Sequence, residues 1–138
     1  QLEAVLNESS GLLGVSGVGA DMRVLLESND AAARLAVEVY CRRARKYLGA
    51  YLAVLGGADA VLFGGGVGEN APAVRERILS DMLWAGIALD LDANRTATGT
   101  EKRISGQTSK AAVWVIPADE AAVIAEDAAA VIAGSASA

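Results

Sequence analysis

A chain of 138 residues, 53% of them hydrophobic, can bury the core of one ordinary domain, and with aromatics at 4% that core must be aliphatic and alanine-rich. A net charge of -5, from 12 basic and 17 acidic residues, excludes the electrostatic footprint of a nucleic-acid binder or of a protein clinging to an anionic membrane. With no His and one Cys, histidine triads, His/Cys zinc sites and internal disulfides are excluded, which leaves carboxylates, arginines and backbone amides for chemistry.

Residues 11–21 (GLLGVSGVGAD) carry four glycines between short apolar pairs and read as a tight exposed loop with no regular element. A short helix is expected over residues 20–27. Ser28, Asn29 and Asp30 then offer N-cap chemistry for a long helix whose apolar positions, from Ala32 through Leu35, Val39, Leu48 and Leu52 to Leu55, recur at three- and four-residue spacing. Gly56-Gly57 ends it, because glycine takes the left-handed C′ conformation at little cost. Cys41 falls inside this helix and is expected to be a buried, inert thiol that needs no oxidising compartment, so a cytoplasmic address is the default.

Residues 58–63 (ADAVLF) form a compact β-type run expected to be a buried strand, and it leads directly into Gly64-Gly65-Gly66-Val67-Gly68-Glu69-Asn70. Pro72 suits the first position of a further helix, with Val74, Ile78, Met82 and Leu83 on its apolar face and Gly86 at its end. Residues 87–91 are expected to be extended and 92–99 to be a turn-rich surface excursion. Residues 103–105 make a weak strand and 111–116 a stronger one, closed by Pro117. Asp119-Glu120 begin a last helix, and residues 134–138 read as a frayed end. No run approaches the about 20 apolar residues of a membrane span, and Gln1 opens no signal peptide. Strands alternating with helices predict an α/β fold with a partly parallel sheet, one too small to be complete without further sequence.

The glycine turn after Phe63 is the most informative feature. Glycines let a backbone approach a ligand closely, and a helix N-terminus beyond offers free N–H groups; equally, a sharp strand-to-helix turn needs glycines for its own geometry. Gly66 to Ala71 fits G-x-G-x-x-A, a dinucleotide fingerprint, with Asp90 as the ribose-binding acid, whereas no Walker P-loop is present. Asp21-Met22-Arg23 could hold a ribose hydroxyl and clamp a nucleotide, although the cap preference favours Asp21 as a helix N-cap. Asp119-Glu120 suit a helix first turn or a Mg2+-facing site, and Arg42, Arg43, Arg45 and Lys46 read as a solvated or interface face.

Taken together, Leu6-Asn7, Ser10-Gly11-Leu12-Leu13-Gly14, Ser16-Gly17 and Asp21-Met22-Arg23 resemble the acetate and propionate kinase family in order and spacing. So do the long helix around Arg45-Lys46-Tyr47-Leu48-Gly49-Ala50-Tyr51, the adenosine loop from Phe63 to Asn70 and the metal-side segment Pro117 to Glu120. The resemblance implies a partial ribonuclease-H-like domain of the actin, hexokinase and Hsp70 superfamily, with a small mixed sheet flanked by helices. Residues 1–138 would be the C-terminal part of its second, nucleotide-binding domain, and the N-terminal domain would be absent. It implies nucleotide contacts at Asp21, Met22, Arg23, Gly66, Val67, Gly68, Glu69 and Asn70, a Mg2+ carboxylate at Glu120, and no catalytic residue in this segment. It further implies ATP/ADP and Mg2+ as cofactors, acetate or propionate as acceptor, and a homodimer. Ala71 stands where a serine is usual, which removes a hydroxyl that would cap the helix at Pro72.

Overall fold

The computed structural model describes residues 2–135, apart from the side chains of residues 120, 121, 123, 126 and 133–135. In chain order they form α1 (Leu2–Glu8), α2 (Gly11–Ser16), α3 (Met22–Glu27), α4 (Ala31–Leu55), β1 (Ala60–Phe63), α5 (Gly65–Asn70) and α6 (Pro72–Leu79). A short 3-10 turn at Leu83–Ala85, then α7 (Leu91–Thr96), β2 (Lys102–Arg103), β3 (Ala112–Val115) and α8 (Glu120–Ser135) complete the series. The frayed end expected at residues 134–138 is helical as far as Ser135, and beyond that it lies outside the described residues.

Helix α4 is the spine. The Asp30 carboxylate accepts from the Ala32 N–H and caps its start, and Gly56 at φ 72 closes its end, as the sequence predicts. Ala33, Ala36, Val37, Cys41 and Leu52 on its inner face are buried against Met22 and Leu25 of α3 and Val74, Ile78 and Leu79 of α6. Small residues on the spine let these helices approach closely. Burial pushes the Cys41 thiol above its ordinary pKa, which keeps it protonated and inert.

The sheet has the order β1-β3-β2, with β1 parallel and β2 antiparallel to β3, and Phe63 stands in register with Val115. It is therefore mixed and small, with helices packed on it. Val113 and Val115 of the central strand are buried, whereas β1 is an edge strand with Leu62 61% exposed, so the expectation of a fully buried strand there is corrected.

Four further local expectations are also corrected. Residues 11–16 are helical despite their glycines: Leu12 packs against the core and Gly14 fits where a Cβ would come within 3.0 Å of the Ser9 carbonyl oxygen. Residues 65–70, read as an open turn, are a helix in their own right. The helix from Pro72 stops at Leu79, since Ser80 turns extended at ψ 141 and Asp81 follows with a positive φ of 60, so Met82 is buried in the next turn and Leu83 is exposed. The supposed surface excursion at 92–99 contains α7, in which Asn94 is fully buried along with the flanking Ala97.

Candidate functional site

The parallel pair orients the segments around the candidate site. Strands β1 and β3 end side by side, joined by the Ile116 N–H donating to the Phe63 carbonyl at 2.9 Å. From one end the chain enters α5 and from the other it runs through Pro117 to α8. The crevice beyond the carboxyl ends of parallel strands is the usual ligand position in α/β sheets.

A cavity of ≈ 340 Å³ opens beside α5, lined by Asp21, Met22, Arg23, Leu26, Gly66, Val67, Asn70 and Ala71. Its size suits a small-molecule site. The structure thus brings together the two segments that the sequence singles out, Asp21-Met22-Arg23 and the glycine run. Met22, Leu26 and Val67 supply apolar wall, and Asp21, Arg23 and Asn70 supply polar groups. Two larger hollows, of ≈ 460 Å³ each, lie elsewhere along α4. One is edged by Arg42, Arg45, Lys46 and Trp84, but Arg45 there is committed to the Ile78 carbonyl at 2.9 Å and to Arg77 and Ser80, which ties α4 to the end of α6. The other is an apolar groove between α2 and α4.

Asp21 serves as the N-cap of α3, accepting from the Arg23 N–H at 2.9 Å. It also holds the Arg23 guanidinium through Nε at 3.2 Å and Nη2 at 2.7 Å. The hydrogen bond from the Arg23 side chain is the main reason that the carboxyl pKa falls from 3.8 to about 2. The cap expected from sequence and the acid-guanidinium pair are therefore one structure. The loop that delivers Asp21 is fixed by Ser16, whose hydroxyl accepts from the N–H groups of Val18 and Gly19 and donates to the Gly19 carbonyl.

Along the glycine run the residues divide by role. A Cβ on Gly66 would meet nothing within 4 Å, so this backbone lies bare beside the cavity. A Cβ on Gly68 would sit 3.3 Å from the Phe63 carbonyl carbon, so this glycine is needed for α5 to pack on β1. The Asn70 side-chain amide donates to the Gly66 carbonyl at 3.1 Å. Gly68 and Glu69 do not line the cavity; the Glu69 carboxylate instead accepts from the Ala118 N–H at 2.8 Å. At the far segment, Asp119 accepts from the Ala122 N–H at 2.9 Å in the manner of a cap, and Glu120 opens α8 with its side chain outside the described residues. No cluster of three or more metal-ligating side chains occurs among the described residues. Asp90, the acid that a dinucleotide reading needs, caps α7 through the Ala93 N–H at 2.9 Å and lies away from the cavity.

Leu26 and, outside the cavity, Arg75 were not marked by sequence reasoning, and Ala71 was marked as part of the glycine pattern and as a missing cap rather than as cavity wall. Arg75 follows Val74 in a helix whose other apolar positions set the pattern, and no local signal distinguishes it from a solvated arginine.

Comparison with known proteins bears on the whole arrangement. Residues 1–126 match the sequence model of the acetokinase family. The acetate kinase of Solibacter usitatus is 52% identical over 131 residues, covering 92% of this chain and 32% of that protein. The crystal structure of Porphyromonas gingivalis acetate kinase superposes with a TM-score of 0.86 at 40% identity, over 95% of this chain and 34% of that one. A propionate kinase from Francisella tularensis superposes with a TM-score of 0.76 at 33% identity, over 86% of this chain and 30% of that one. This chain spans about a third of the length of the curated relatives it matches. Its mixed α/β architecture is that of the solved acetate kinases, as expected for part of an actin-like ATPase domain. The match over most of its length shows that this chain belongs to the acetokinase family.

Proposed function

We propose that this chain forms the nucleotide-binding part of the second domain of an acetate kinase. The observation that carries the proposal is the cavity in which Asp21, Met22 and Arg23 face Gly66, Val67 and Asn70. Adenine would lie against Met22, Leu26 and Val67. The Asp21 carboxylate, already paired with Arg23, retains lone pairs for a ribose hydroxyl, and the bare backbone at Gly66 admits the sugar closely.

In the whole enzyme a carboxylate oxygen of acetate would attack the γ-phosphorus of ATP. The new O–P bond forms as the bond to the β-phosphate oxygen breaks, giving acetyl phosphate and ADP reversibly. Propionate is the alternative acceptor. Glu120 is assigned to Mg2+, and a single carboxylate suits an ion held chiefly by water and substrate phosphates. The bound ion would offset phosphate charge. No residue of this segment is assigned to the chemical step, so the chain alone is expected to be inactive. We read the enzyme as cytoplasmic, acting on small molecules without nucleic-acid or membrane partners. Among the described residues no helix is long and apolar enough to cross a membrane. A homodimer is favoured by the apolar residues that α4 leaves exposed toward its end, Tyr51, Val54 and Leu55.

Photolabelling with 8-azido-ADP tests the site directly. The expected result is ADP-competed labelling of peptides containing residues 21–26 or 66–71, with no acetyl phosphate formed above a blank from acetate and Mg-ATP. Labelling elsewhere, or labelling that ADP does not compete, would contradict the assignment, and acetyl phosphate formation would contradict the inactivity.

A further inference from the structure

We infer that Arg75, which lies outside the cavity, is the positioning residue that sets the glycine helix α5 at the nucleotide site; the inference rests on the nucleotide reading above. Arg75 is 0% exposed, and no ion pair to it occurs among the described residues. Its Nε donates to the Asn94 side-chain oxygen at 2.8 Å. Nη1 donates to the carbonyls of Gly68 at 2.7 Å and Glu69 at 2.9 Å, and Nη2 to those of Asn94 at 2.8 Å and Ala97 at 2.7 Å. Every donor of the guanidinium is thereby used.

These acceptors share one origin. Gly68 and Glu69 lie in the last turn of α5, and Asn94 and Ala97 lie at the end of α7, where a helix leaves carbonyls under-used; that of Asn94 also accepts from the Ala97 N–H at 3.3 Å. Two helix C-termini point their negative ends at one buried cation. Burial pushes the Arg75 pKa below its ordinary value, and the converging carbonyl dipoles stand in for a carboxylate. Asn94 is itself fixed, donating to the Pro72 carbonyl at 3.0 Å.

The consequence reaches the cavity through α5. Gly66, Val67 and Asn70 project from the helix whose far end Arg75 grips, while Asp21 and Arg23 stand on separate elements. The fork thus fixes α5, which forms one wall of the cavity, against α7, and so sets how that wall stands toward Asp21 and Arg23. A lysine keeps the charge but places three donors on one atom and cannot reach both ends.

The test uses the full 138-residue chain with Mg-ADP as probe, comparing the parent with Arg75→Lys, Asn94→Ala and Ile104→Val. Ile104 is buried at the sheet, outside the cavity and outside the Arg75 network, and serves as the control for destabilisation alone. In Arg75→Lys, amide exchange over residues 66–71 is expected to quicken selectively and the Kd for Mg-ADP to rise about tenfold. Asn94→Ala should give the same pattern to a smaller degree, and it decides the matter if Arg75→Lys does not fold. Ile104→Val should leave the Kd within about twofold of the parent. Unchanged exchange at 66–71 and unchanged Kd in folded Arg75 and Asn94 variants would overturn the inference, as would equal weakening in Ile104→Val. Failure of the parent to bind ADP would sink the nucleotide reading, and the exchange comparison would still decide what Arg75 holds.

Discussion

The Glu69 carboxylate accepts a hydrogen bond from the Ala118 backbone N–H at 2.8 Å, and so joins the glycine helix to the segment leading to Glu120. One short contact links the nucleotide-side and metal-side segments. Glu69→Ala is expected to lower stability by about 1 kcal/mol in urea unfolding, whereas Glu69→Gln, which keeps an acceptor oxygen, should lose less than half of that. An alanine variant as stable as the parent would contradict the link.

Gly66 and Gly68, two residues apart, should respond oppositely to the same substitution. Gly68→Ala forces a methyl to 3.3 Å from the Phe63 backbone and should cost about 1–3 kcal/mol by thermal unfolding. Gly66→Ala meets open space and should leave stability within about 0.5 kcal/mol while weakening ADP binding. Equal destabilisation of both would show that the two glycines share one packing role.

Asp21 should titrate well below a free carboxyl. With the folded pKa at about 2 against 3.8, the paired state gains over the unfolded chain above pH 3.8, and this gain is lost as pH falls through about 2. NMR titration should find Asp21 ionised at pH 3, and Arg23→Ala should return its pKa toward 3.8. An unchanged midpoint in that variant would remove Arg23 as the cause.

Ala71 precedes α6 without any side-chain cap. Ala71→Ser should supply an acceptor for the first turn and stabilise the chain by about 1 kcal/mol, read as a raised Tm. An unchanged Tm would mean that the start of α6 is held sufficiently by Pro72 and by the Ala71 carbonyl, which accepts from Val74 and Arg75.

What the sequence disclosed was what short-range chemistry encodes. Asp30 and Gly56 mark the two ends of α4, Pro72 marks the start of α6, and the apolar run before Gly64 marks β1. The gathering of Asp21, Arg23, Gly66 and Asn70 was legible only through motif order, because those residues lie on elements that meet through the core. Other features depend on partners distant in the chain. Asn94 is buried because Arg75, 19 residues earlier, completes it, and nothing in a polar stretch announces that. Glu69 resembles a ligand contact by position, yet its carboxylate turns to Ala118, 49 residues away. The helix α2 hid behind its own glycines, since the close approach that requires Gly14 appears only once the neighbouring backbone is placed.

Titration calorimetry of the chain with Mg-ADP, repeated on Asn70→Ala and with NAD as a dinucleotide control, tests the central claim most directly. The account predicts saturable ADP binding, weakened about five- to tenfold in Asn70→Ala, a loss of about 1 kcal/mol, with no comparable binding of NAD. ADP binding that is absent or indifferent to Asn70, or tighter saturable binding of NAD, would contradict it.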